Sequence, residues 1–173
     1  MHVFSTINIC WAAQASLYYH FGIKKEQVED KVFGVFEHDV LIENHVLTRG
    51  FTDTFLAPHS RHTKIEEEKL PNISELDILA KSEDVGTLLL ATKDLRKIFV
   101  TGHIEYDADT LHNEYIRDKS SNLPIGIPVN YYPENDDTKM PKNRWRGIAY
   151  LFYHNWLNQV YQQTPYNLRE LGK

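Results

Sequence analysis

Residues 4–15 read FSTINICWAAQA, and the single cysteine of the chain, Cys10, stands in their middle. The run before it, VFSTINI (3–9), is apolar and β-prone and predicts a strand. The run after it, WAAQASLYYHF (11–21), predicts a helix that Gly22 ends as a C-cap. Cys10 therefore falls where a strand becomes a helix. A nucleophile at such an elbow is held above the sheet, and the helix N-terminus offers backbone N–H groups and a field that favours an anion. Both effects suit a thiolate and the oxyanion of acyl transfer. Ala12 and Ala13 supply the small residues that a close strand-helix approach needs. A lone cysteine is also a common small buried hydrophobe, and on this stretch alone the two readings stand level.

Working outward, residues 32–41 read as a strand with an internal glycine, 44–50 as a turn, and 55–65 as a strand around Pro58. Residues 77–81 and 87–92 read as strands about a turn at 84–86, and 98–103 as a strand running into glycine and histidine. A helix is expected over 106–118, with Asp107 or Asp109 near its start. Residues 119–143, rich in Pro, Asn and Asp, read as a long ordered loop, and 144–161 as an aromatic amphipathic helix. Strands alternating with helices predict an α/β fold with a mainly parallel sheet.

The totals narrow the field. With 173 residues, 42% of them hydrophobic, the chain can build one core, so residues 1–173 are expected to form a single catalytic domain. A net charge of −5 without a basic stretch argues against nucleic acid as a partner. No apolar run reaches the roughly 20 residues of a membrane span, and the N-terminus lacks a signal-peptide pattern. One unpaired thiol fits a reducing cytoplasm, which is the expected location. Met1 lies just before what reads as a central strand, so the early strands of the sheet are expected to be missing.

A catalytic cysteine needs a base, and the base needs an orienting group. VTGHIEYD (100–107) places His103 past an apolar strand with Glu105 two residues on, which meets both needs if the chain turns after the histidine. A surface His-x-Glu pair is the plainer alternative. His59 and His62 are the nearest approach to a metal-ligand spacing, and Pro58 argues against a helix that would bring them together, so no metal is expected.

Five blocks in order carry a resemblance: STINICWAAQASLYYHFGI, KVFGVFEHDVL, LTRGFTDTFLAPHSRHT, VTGHIEYDADTLHNEYIRD and NWLNQVYQQTPYNL. Together, from about Phe4 to Leu168, they resemble the homoserine O-acyltransferases of the MetA type. That family's fold is like the class I glutamine amidotransferases, a Rossmann-like α/β sheet with flanking helices. The resemblance implies Cys10 as the acyl-thioester nucleophile, His103 as general base and Glu105 as its orienter. It also implies Lys31, Ser60 and Arg117 as substrate contacts, Arg117 pairing with an amino acid carboxylate. By charge pattern alone, Lys31 reads as a solvated surface lysine, and Arg117 as a helix-face arginine paired with Glu114 or Asp118.

The implied reaction is ping-pong transfer of an acyl group, acetyl favoured over succinyl, from acyl-CoA through Cys10 to L-homoserine, feeding methionine synthesis. Acetyl-CoA or succinyl-CoA enters as a substrate, and no cofactor, metal, nucleic acid or membrane is implied. A homodimer is the assembly the resemblance suggests. Serine as acceptor, a glutamine amidotransferase, and an inactive truncated remnant are the competing readings. Two residues depart from the family pattern. Ala12 stands where glycine is common and is expected to strain the elbow by one methyl. Ile104 stands where proline is usual and is expected to loosen the turn that presents Glu105.

Overall fold

A computed structural model describes residues 3–165. The order is β1 (Thr6–Ile9), α1 (Trp11–Phe21), β2 (Lys25–Val40), β3 (Thr54–Ile65), β4 (Leu76–Ser82), β5 (Gly86–Thr92), β6 (Lys97–Val100), α2 (Thr110–Ser120) and α3 (Arg146–Gln163), with short 3₁₀ turns at Glu67–Asn72 and Pro133–Asn135. Helix α1 has the bounds its sequence predicts. It ends at Gly22, whose φ of 70° is left-handed and whose N–H reaches the Tyr18 carbonyl at 2.9 Å. β2 begins earlier than expected. α2 begins later, because residues 101–109 are spent on turns.

The six strands form one mixed sheet in the order β1-β6-β5-β4-β2-β3. The α/β class holds, but the expected mainly parallel pairing does not: among the described residues β1 with β6 is the one parallel pair of strands, and the other four pairs are antiparallel. The reason lies in the connections. β4, β5 and β6 are joined by tight turns at residues 83–85 and 93–96, whereas a parallel crossover needs about a dozen residues or more.

The alternation of side chains along β6 divides the core. Ile98 and Val100 face a cluster with Leu79, Leu89, Ala149 and Phe152, so α3 covers that side. Phe99 faces Ala13, Leu17 and Leu90 on the α1 side. Each fully buried Leu, Ile, Val or Phe side chain among these contributes about 1.5–3 kcal/mol. A third cluster under α2 joins Phe33, Val35, Leu111, Tyr115, Tyr131, Tyr132 and Trp145. The loop over 119–143 is ordered by this cluster and by a parallel bridge between Gly34 and Val129. Residues 166–168 of the last resemblance block lie outside the described residues.

The β1–β6 pair positions the site. The strands run the same way with Ile9 opposite Val100, so both C-terminal ends open on one rim. Cys10 leaves one end, its N–H bonded to the Val100 carbonyl at 2.7 Å. Thr101, Gly102 and His103 leave the other.

Candidate active site

Cys10 occupies φ 50°, ψ −112° at the N-cap of α1. A non-glycine residue held there stores about 1–3 kcal/mol of backbone strain, a cost typical of nucleophile elbows. Its carbonyl accepts the Gln14 N–H at 3.1 Å, so the helix starts directly behind the thiol. The first N–H groups of a helix lack intrahelical partners and lend positive character to this end. Ala12 is exposed, so its methyl points away from the packed side of the elbow and the expected strain does not arise. Ala13 is fully buried against the sheet.

His103 is fixed on every side. Its backbone N–H donates to the Pro58 carbonyl at 2.8 Å. Its ring stacks on Tyr106 with centroids 4.1 Å apart. Its Nδ1–H donates to Glu105 Oε1 at 2.6 Å, which leaves Nε2 for the thiol of Cys10, a close neighbour of the ring. Ile104 is buried in the main core, so it anchors the turn that was expected to loosen. Burial pulls the His103 pKa down. Its interactions with Cys10 and Glu105 outweigh burial and raise the pKa to about 9. At neutral pH His103 is therefore held as the imidazolium beside Cys10.

Behind this pair lies a chain of buried polar groups that sequence reading missed. His38 Nδ1 meets the Phe36 carbonyl at 3.0 Å, and His38 Nε2 meets His59 Nε2 at 3.0 Å. Arg61 Nε donates to His59 Nδ1 at 3.4 Å. These partners fix the tautomers: His38 carries its proton on Nδ1 and His59 on Nε2. Burial holds both histidines neutral, with His38 lowered to about 4 and His59 well below its ordinary value. Arg61 also donates to the carbonyls of Thr63, at 2.6 Å, and Val85. His59 and His62 point to opposite faces of β3, so they form no ligand pair.

Lys31, Ser60 and Arg117 meet at one carboxylate, Glu114 of α2. Lys31 Nζ lies 2.6 Å and Ser60 Oγ 2.7 Å from Glu114 Oε1, with Arg117 Nη2 at 3.8 Å. Lys31 sits in the irregular stretch of β2 where register with β3 shifts between Gln27 and Val32, and this bulge turns its side chain toward α2. Its ammonium also rests 4.2 Å from the Phe33 ring centre and 3.6 Å from Asp118. Arg117 is held by Asp118 through Nε at 2.6 Å and keeps a side chain 67% exposed. Ser60 joins the two halves of the site, because its carbonyl lies 3.9 Å from Cys10 Sγ. The structure thus brings all six predicted residues to one region. Glu114 and Tyr106 were missed as members. Glu114 was legible only as a salt-bridge partner at i, i+3 from Arg117, and Tyr106 gave no signal.

Among the described residues, no helix is long and apolar enough to cross a membrane.

The solved structures most like this fold include a glutamine amidotransferase from Thermotoga maritima, with TM-score 0.63 and 15% identity over 89% of this chain and 61% of that one. A second, from Methylobacillus flagellatus, gives TM-score 0.61 and 16% identity over 94% and 65%. These show an α/β fold of the glutamine amidotransferase type. Among curated proteins, a homoserine O-acetyltransferase of Petrotoga mobilis is 56% identical over 99% of this chain, and one of Acetivibrio thermocellus is 50% identical over 98%. The chain spans about half the length of these relatives, 56% of each. Residues 1–166 match the homoserine O-succinyltransferase family, and with that match and those identities the chain belongs to it.

Proposed function

We propose that this chain carries the catalytic centre of an acyl-CoA:L-homoserine O-acyltransferase that works through an acyl-thioester on Cys10. The observation that carries the reading is the line from thiol to imidazole to carboxylate at the shared rim of β1 and β6, with the Lys31–Ser60–Arg117 cluster beside it. In the first half-reaction the Cys10 thiolate attacks the thioester carbonyl. A new C–S bond forms, the bond to CoA breaks, and His103 gives its proton to the leaving thiolate. In the second, neutral His103 takes the proton of the homoserine γ-hydroxyl as that oxygen attacks the acyl-Cys10 carbonyl, and the Cys10 thiolate leaves. Thioester becomes ester with no change of oxidation state. Glu105 stabilises each imidazolium. Arg117 takes the substrate carboxylate, a task suited to a guanidinium fork.

The acetyl group is the favoured donor group, supported by the names of the relatives, although the family description names succinyl. The product would enter methionine synthesis in the cytoplasm. Intact-mass analysis after mixing the chain with acetyl-CoA or with succinyl-CoA tests the reading. One adduct should form, Cys10→Ala should abolish it, and homoserine should discharge it as the O-acyl ester. Discharge by serine and not homoserine overturns the acceptor assignment. A glutamine-derived thioester on Cys10, with none from acyl-CoA, overturns the transferase reading in favour of an amidotransferase.

A further inference from the structure

Helix α1 leaves two large aromatic side chains in water. Trp11 is 67% and Tyr18 59% exposed, and their spacing of i, i+7 puts them on one face of the helix. With Gln14 and Ala15 between them they line one wall of an open, mostly apolar groove of about 410 Å³, a volume within the range of small-molecule sites. Lys24 and Lys25 close its far end. Among the described residues neither ammonium forms an ion pair. Glu66, which accepts the Lys24 backbone N–H and senses the Lys24 charge, is itself paired with Lys69 at 2.5 Å.

The groove starts at the thiol. Trp11 follows Cys10 directly, and Tyr18 lies eight residues on, about 12 Å along the axis at about 1.5 Å per residue. A ligand that begins at Cys10 and fills the groove therefore needs a long arm, then an aromatic ring and anionic groups. The pantetheine arm of coenzyme A is comparable to a stretched tetrapeptide, about 14 Å. Beyond the arm come a pyrophosphate, an adenine and a ribose phosphate. An aromatic wall complements the base, and two unpaired ammonium groups complement the phosphates.

The groove is also separate from the Lys31–Ser60–Arg117 cluster. On β3, Ser60 Oγ donates to Glu114 of α2 at 2.7 Å, whereas Thr63 Oγ1 donates to Gln14 of α1 at 2.6 Å. Residues three apart on a strand face opposite sides, so the groove and the cluster approach Cys10 from the two faces of β3.

We infer that the groove along α1 seats the nucleotide end of the acyl-CoA donor, with the pantetheine arm passing Trp11, the adenine stacked on Tyr18 and the phosphates held by Lys24 and Lys25. This rests on the acyl-CoA reading given under Proposed function.

Two measurements on the full chain test it. The first compares acylation of Cys10 by acetyl-CoA and by acetyl-pantetheine, which carries the same thioester and no nucleotide. The wild type should prefer acetyl-CoA by about ten- to a hundredfold in rate over half-saturating concentration, the range of one stacked base. Tyr18→Ala, and separately Lys24→Ala combined with Lys25→Ala, should weaken acetyl-CoA far more than acetyl-pantetheine, through the half-saturating concentration and not the rate at saturation. Tyr18→Phe should keep the preference. The second measurement titrates adenosine 3′,5′-bisphosphate calorimetrically. It should bind the wild type and lose about the same factor in each alanine variant. Melting curves establish that the variants are folded. Equal losses with both donors, a preference that survives the substitutions, or a wild type that prefers neither donor overturns the assignment. If neither donor acylates Cys10, the transferase reading falls. The bisphosphate titration then decides the groove by itself: binding that depends on Tyr18 keeps it as a nucleotide site, and no binding overturns it.

Discussion

The Nε2 atoms of His38 and His59 lie 3.0 Å apart inside the protein, one ring donating to the other, with both rings neutral. In the unfolded chain each would gain a proton near pH 6.5. In the folded protein His38 gains one only near pH 4, and His59 lower than its ordinary value. The unfolded state therefore binds more protons as pH falls below 6.5, and stability is lost from there down toward about 4. Urea melts between pH 7 and 4.5 should show this acid limb. Replacing His38 with Asn and His59 with Gln should flatten it, even though the variants are less stable at pH 7.

His103 has the opposite sign. Its folded pKa of about 9 exceeds the unfolded value of 6.5, so its contribution is complete below pH 6.5 and disappears as pH rises through about 9. Two of the causes that raise it come from Cys10. Cys10→Ala should therefore lower the titration midpoint of His103, measured by NMR of the imidazole carbon protons, by about a unit or more. It should also shrink the loss of stability between pH 7 and 9. An unchanged midpoint would show that Glu105 alone sets it.

What could be read beforehand follows from which forces act locally. The elbow was legible because strand propensity, helix propensity and the Gly22 stop all lie within residues 3–22. His103 and Glu105 were legible because they sit two residues apart at a strand end. The direction of the sheet was misread, since the alternation of strand and helix suggested crossovers where tight turns follow β4 and β5. The His38–His59–Arg61 chain was invisible. Polar residues on β-strands usually face water, and nothing in the order of residues shows that β2 and β3 bury these side chains against each other. Glu114 was seen as a surface partner because its role depends on Lys31 and Ser60, which lie far away in sequence.

Gly102 is required by close approach. A Cβ built on it would lie 2.8 Å from His59 Nε2, from Leu88 Cδ1 and from the Pro58 carbonyl oxygen. The last is backbone and is also the acceptor for the His103 N–H, so relief of the clash must move the base. Gly102→Ala should cost about 1–3 kcal/mol of stability. It should also lower the rate of Cys10 acylation more than a remote substitution of equal stability cost. Thermal melts paired with acylation kinetics check both parts.

Glu105 offers a sharper test of how the base is held. Glu105→Gln keeps a hydrogen-bond acceptor within reach of His103 Nδ1–H but removes the charge, which is one of the forces raising the His103 pKa. If Glu105 mainly orients the ring, the amide should retain most of the rate. If it also stabilises the imidazolium formed in each half-reaction, the rate should fall by about 10²- to 10⁴-fold, the range for a lost general-base function. The stacking of His103 on Tyr106 and the bond from its N–H to Pro58 already restrain the ring. Orientation is thus supplied twice over, and charge is what Glu105 adds, so the larger loss is expected. Single-turnover measurement of acyl-Cys10 formation and discharge, with the pH profile of each, decides between them: the descending alkaline limb set by His103 should move to lower pH in the amide variant.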